Sequence, residues 1–132
     1  MKDNGNIYIN QILKNNNICA IQETKFKDIN HLERFQFHLQ HAYGQNNYFL
    51  AVNDPRTKPN GVILDGDSMY NRSAGVSMVF DNNVLGFNSL QHISEFDIPY
   101  RYMVVKTQWN DVPVYFHNVY APVDRQHRAQ FY

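Results

Sequence analysis

Apolar positions along this chain fall into short runs whose period changes from helical to strand-like. Over 7–15, Tyr8, Ile9, Ile12 and Leu13 recur at helical spacing and predict a short amphipathic helix. Asn15-Asn16-Asn17 ends it, since asparagine tolerates a left-handed terminal turn. Ile18-Cys19-Ala20-Ile21 is apolar without alternation, which predicts a strand covered on both faces, central in a layered α/β protein. Asp28 is placed to cap a helix over 29–41 with the stripe Ile29, Leu32, Phe35 and Leu39. Residues 48–52 predict a second strand. The segment from Asn53 to Arg72 carries Pro55, Pro59, Asn60-Gly61 and Asp65-Gly66 and predicts a long loop or loose hairpin. Beyond it the pattern is all strand, over 74–80, 90–97, 102–108 and 112–119. The turns fall at Asn82-Asn83, Ile98-Pro99 and Asn110-Asp111, the last between two strongly apolar runs, as in a hairpin. From Asp124 the chain takes on helix-forming character and reaches Tyr132 without a stop signal.

Composition narrows the class without naming a function. The 132 residues suit one domain or a piece of a larger one. With 43% apolar and 14% aromatic residues the chain is too rich in core formers for a disordered tail. No apolar run approaches a bilayer span, and Met1-Lys2-Asp3-Asn4-Gly5 leads into polar residues without a signal-peptide core. The expectation is an intracellular protein with no membrane partner. Cys19 is the only cysteine, so no disulfide forms within the chain, which suits a reducing compartment. Its apolar neighbours make it a small buried hydrophobe, not a reactive thiol. Twelve basic residues balance twelve acidic ones. A protein that lives by non-specific phosphate contacts shows a basic excess, and this one does not.

Two residues stand where chemistry is expected. Glu23 follows a doubly covered strand directly, and a carboxylate there is held rigidly at a strand end; a hard cation such as Mg²⁺ takes oxygen ligands of this kind. Tyr120 closes the last strand in Asn118-Val119-Tyr120-Ala121-Pro122, where Pro122 stiffens the turn that presents the phenol. Weighed singly, a solvated strand-end glutamate and a buried core tyrosine are the simpler readings. Taken in order, three blocks say more: Ile18-Cys19-Ala20-Ile21-Gln22-Glu23-Thr24-Lys25, Ser73-Ala74-Gly75-Val76-Ser77-Met78-Val79-Phe80, and Phe116-His117-Asn118-Val119-Tyr120-Ala121-Pro122. Together they resemble the endonuclease/exonuclease/phosphatase superfamily, most closely the endonuclease domain of LINE-type (non-LTR) retrotransposons. Arg101-Tyr102-Met103-Val104-Val105-Lys106 and the spacing of Arg128 and Phe131 extend the likeness along almost the whole chain.

The resemblance implies a four-layer α/β sandwich and a DNA endonuclease that uses Mg²⁺ or Mn²⁺. Glu23 would bind the metal and Tyr120 would be the active-site tyrosine, with Asn118 and Arg72 as candidates for substrate contact. It also implies water attacking phosphorus, with the transition state stabilised by metal and hydrogen-bond donors. The departures are informative. No apolar strand precedes Asn4-Gly5, and Val123 stands where many members carry Asn after Tyr-x-Pro. The family's Asp-x-Asn and terminal Asp-His pair belong to the second half of the domain and do not follow Tyr120 here. The chain is therefore expected to span the first half of such a domain, minus its first strand, over 1–132. It is expected to be inactive alone and to leave the inner face of one sheet bare. A phosphatase or abasic-site repair branch of the same superfamily, and a non-catalytic binding remnant, stay open as alternatives. His38 and His41 are set aside as surface residues, Asp65-Gly66-Asp67-Ser68 lacks the ligands and closing Glu of a calcium loop, and Arg101, which could meet a backbone phosphate, is set aside as solvated at a strand edge.

Overall fold

The computed structural model of this protein describes Leu13 and residues 16–24, 26–57 and 75–120. Most of the helix expected over 7–15, positions 58–72 of the expected loop or loose hairpin with Arg72, the first residue of the strand expected over 74–80, and the tail from Ala121 lie outside them. Leu13 itself is helical and buried.

The described residues form mixed α/β structure with two antiparallel three-stranded sheets and one long helix. In the first sheet β1 (Ile18–Gln22) and β2 (Tyr48–Asn53) flank β3 (Val76–Asp81). In the second, β4 (Gln91–His92) and β6 (Val112–Val119) flank β5 (Tyr102–Trp109). Between β1 and β2 runs α1 (Ile29–Tyr43). Among the described residues no helix is long and apolar enough to cross a membrane.

The start of α1 is where the sequence placed it. Asp28 is extended, and its carboxylate accepts the His31 backbone N–H at 2.9 Å, satisfying one of the orphan donors of the first turn. Leu32, Phe35 and Leu39 bury the stripe, joined by His31, whose ring meets Phe26 edge-on at 5.2 Å. Gly44, with φ +88, lets the chain leave the helix, its N–H donating to Gln40 O.

Alternation then sorts the sheet residues between two cores. Cys19, Ile21, Leu50, Val52 and Val79 face α1 with Phe26, Phe35 and Leu39. Phe49, Ala51, Val76, Met78 and Phe80 face the second sheet, where Met103, Val105 and Phe116 meet them. Phe80 is fully buried, with Phe49 at 5.9 Å and Phe116 at 5.3 Å in edge-on contact. The layers are thus α1, first sheet, second sheet. The inner face expected to be bare is covered, because the two sheets bury each other.

Three local expectations change. The apolar run Ile18–Ile21 is not a central strand: among the described residues β1 is an edge, Ala20 is exposed, and β3 holds the middle, buried at all six positions. A run of four apolar residues is too short to tell a covered edge from a centre. The strand expected over 90–97 is only Gln91–His92, followed by a 3₁₀ turn at Ser94–Phe96. The reason is the His92 Nε2–Asp97 Oδ1 contact at 2.8 Å, since five residues of extended strand would separate the two by roughly 16 Å. The loop from Asn53 also begins in order, as a 3₁₀ turn at Pro55–Thr57.

The hairpin at Asn110-Asp111 is as read. Both residues have positive φ, 50 and 68, the combination a two-residue type I′ turn requires. β6 pairs only with β5 among the described residues, and Pro113, which lacks an N–H, suits such an edge. Asp111→Gly should relieve the left-handed strain at the second turn position and raise stability by about 0.5–1 kcal/mol net of the added glycine entropy. The check is a urea midpoint that rises with an unchanged slope.

Candidate functional site

Glu23 and Tyr120 lie 97 residues apart and meet directly: the phenol donates to Glu23 Oε1 at 2.7 Å. The two arms arrive from different sheets, Glu23 just past the end of β1 and Tyr120 just past the end of β6. Both are half-buried, at the rim of the junction between the sheets. The bond holds the carboxylate as an acceptor.

Each arm is fixed by main-chain contacts. Glu23 has φ 57, a left-handed conformation that turns the chain out of β1. The sheet is antiparallel, so the parallel-sheet rule for carboxyl ends does not place this glutamate; the left-handed turn does. Next to it Gln22 donates its side-chain amide to Val119 O at 2.6 Å, stitching the end of β1 to the end of β6. Tyr120 N–H donates to Arg101 O at 2.7 Å, so the residue before β5 sets where the phenol begins.

Arg101 is buried, and its guanidinium carbon lies 5.0 Å from the centroid of the Tyr120 ring. A guanidinium over an aromatic face is held by the ring quadrupole, more strongly where water is excluded. The surface reading of Arg101 is therefore replaced. It is part of the site, placing fixed positive charge beside the Glu23–Tyr120 pair. An arginine directly before an apolar strand was the available signal.

Asn118 is not directed toward a substrate. It is buried, and its side-chain amide donates to Ile21 O at 3.0 Å and to Ser77 O at 2.9 Å, both on the opposite sheet. Both amide hydrogens are taken, which leaves none for a phosphate. Asn53 does the reverse from the first sheet, donating to Ile98 O at 2.8 Å and Tyr102 O at 2.6 Å. Arg72 lies outside the described residues. His38 and His41 are exposed on α1, each edge-on to Phe37, in agreement with their reading as surface residues. Burial pushes the Cys19 thiol above its usual range, which suits an inert core residue.

Sequence reasoning passed over a polar knot just behind Glu23. Asp54 is 1% exposed and pairs with Arg56 Nε at 2.9 Å, and Thr24 Oγ1 donates to its second oxygen at 3.0 Å. The Arg56 guanidinium also sits 5.3 Å from the Tyr100 ring centroid. Burial and then the Asp54 carboxylate raise the Tyr100 phenol above its ordinary range, with Arg56 pulling the other way. Only Asn53-Asp54-Pro55, a turn signal, marked this place in the sequence.

The donor set can be tested against a hard divalent cation. Among the described residues no group of three or more His, Cys, Asp or Glu side chains converges. One carboxylate at a half-buried rim still fits Mg²⁺, which keeps several waters and takes one or two protein carboxylates with substrate phosphate. It does not fit Zn²⁺, which wants three or four protein ligands.

Asn118→Ala should cost about 1–3 kcal/mol, because it removes two buried hydrogen bonds that cross from one sheet to the other. Urea unfolding followed by Trp109 fluorescence measures the loss, and a change below about 1 kcal/mol would contradict the clamp.

Set beside this geometry, no protein-family model, no curated protein and no solved structure matches the chain, so the residues and their placement carry the functional reading.

Proposed function

We propose that this chain carries the glutamate- and tyrosine-bearing part of a metal-dependent phosphodiesterase domain of the endonuclease/exonuclease/phosphatase type. Its nearest likeness is the LINE-type endonuclease, and its substrate class is DNA. The observation that carries this reading is the 2.7 Å hydrogen bond from Tyr120 to Glu23. Two residues picked from separate sequence blocks are brought into contact, with Arg101 stacked behind them. A core tyrosine and a solvated glutamate have no reason to meet. On this reading α1 and the two sheets are three layers of a four-layer sandwich.

Chemically, the bound Mg²⁺ or Mn²⁺ would polarise a phosphoryl oxygen and offset developing negative charge. Glu23 supplies the carboxylate that holds it. Tyr120, fixed through its N–H to Arg101 O, supplies a donor that can turn from Glu23 to a phosphate oxygen. Arg101 adds a buried positive charge beside that phosphate. No described residue beside Glu23 and Tyr120 is placed to act as general base, and the family's own base follows the tyrosine. The chain alone is therefore proposed to bind metal without cutting DNA efficiently. General bases and charge stabilisers each supply roughly 10²–10⁴-fold.

Two measurements check this. In an electron paramagnetic resonance titration the chain should bind Mn²⁺, and Glu23→Gln should weaken binding roughly tenfold or more, since so few protein oxygens are shared by the ion. On supercoiled plasmid with Mg²⁺ the chain should nick no faster than its Glu23→Ala variant. Unchanged Mn²⁺ binding by Glu23→Gln would sink the metal reading, and nicking that depends on Glu23 would overturn the claim of inactivity.

A further inference from the structure

Glu23 occupies a left-handed backbone conformation, φ 57, which a residue with a full side chain keeps only when its surroundings over-determine it. The surroundings that do so converge on the next residue. Thr24 is fully buried. Its N–H donates to Gly75 O at 3.3 Å, and its Oγ1 donates to Asp54 Oδ2 at 3.0 Å. Asp54 is held in turn. Its Oδ1 accepts from Arg56 N at 3.1 Å and Arg56 Nε at 2.9 Å, and its Oδ2 accepts from Arg56 Nη2 at 2.9 Å. The fork of one arginine thus fixes the orientation of the carboxylate that Thr24 is tied to.

Gly75 makes this possible. With φ +114 and no side chain it lets β3 start against the knot; a Cβ there would overlap Thr24 Oγ1 and stand 2.9 Å from Asp54 Oδ2. Its N–H donates to Tyr100 O at 3.1 Å, one residue before Arg101. Both arms of the site are thereby indexed to the same glycine. A buried ion pair is a poor source of stability compared with packed apolar residues, so one placed directly behind a strained glutamate calls for another role.

We infer that Thr24 and Asp54 are positioning residues for Glu23, holding its carboxylate at the Tyr120 hydroxyl in the geometry a divalent cation requires. Neither is a catalytic residue, since each acts through the backbone next to Glu23. The inference rests on reading Glu23 as a metal ligand and adds to it the structure that keeps that ligand in place.

The test is a Mn²⁺ titration of the full chain by electron paramagnetic resonance, with thermal melts run on every variant. Thr24→Val keeps the shape and removes the donor. It should weaken Mn²⁺ binding by about tenfold, the scale on which partners of a ligand act. Asp54→Asn should weaken it similarly, and Thr24→Ser, which keeps the hydroxyl, should bind as the parent does. A folded Thr24→Val variant with parental affinity overturns the inference, as does loss of affinity in Thr24→Ser. Should Thr24→Val lose its fold, Thr24→Ala takes its place under the same criteria. Weak binding by Glu23→Gln beside intact binding by Thr24→Val removes this inference alone. Parental binding by Glu23→Gln removes the metal reading and this inference with it.

Discussion

Asn118 sends both hydrogens of one side-chain amide across the gap between the sheets, to Ile21 O and Ser77 O. An interface built only of Met78, Phe80, Met103, Val105 and Phe116 would resist separation but tolerate sliding, because apolar burial has no direction. Hydrogen bonds do have direction. With Asn53 reaching the other way to Ile98 O and Tyr102 O, and Gln22 reaching Val119 O, the sheets are pinned at one end by amides from both sides. Losing any one of them costs about 0.5–1.5 kcal/mol, and a slid register would lose them all, so the register is held by direction as well as by burial. The rest of the structure at this end inherits its geometry from that pinning.

The Glu23–Tyr120 bond is one of the things inherited. Ile21, which accepts from Asn118, lies two residues before Glu23, and Asn118 itself lies two residues before Tyr120. A slip of one residue in either strand would send one of the pair to the opposite face. Contact over a separation of 97 residues thus depends on a buried amide that does no chemistry of its own. Arg101 depends on the same arrangement, since Tyr120 N–H is tied to its carbonyl before the guanidinium can lie under the ring.

Much of the fold was legible because it follows from local rules. The Asp28 cap, the Leu32-Phe35-Leu39 stripe and the β5–β6 hairpin at Asn110-Asp111 all sit in patterns a few residues long. What could not be read is non-local. Nothing in Ile18-Cys19-Ala20-Ile21 tells an edge from a centre, because that depends on which strand arrives on its other side. Nothing in Leu90–Asp97 shows that Asp97 folds back on His92. Asn118 was a candidate for substrate contact because an amide two residues before Tyr120 fits either role, and only its partners across the gap decide. Thr24, Asp54 and Arg56 were invisible for the same reason: a threonine, an aspartate before proline and a loop arginine have no signature until the fold brings them together.

Charge shows the same division between composition and place. Twelve basic residues against twelve acidic ones point to no role in holding an anion. Yet a sum over the chain cannot see that Arg101 is buried under the Tyr120 ring while Arg56 is committed to Asp54. A buried guanidinium acts at a lower effective dielectric than a solvated one, so on the proposed reading it would add to the pull on a phosphate out of proportion to its single charge. The proposed site would draw its attraction for an anion from a metal and one buried cation. It has no need of a basic face, and its salt dependence should be shallow compared with that of a protein that reads the DNA backbone by many lysines.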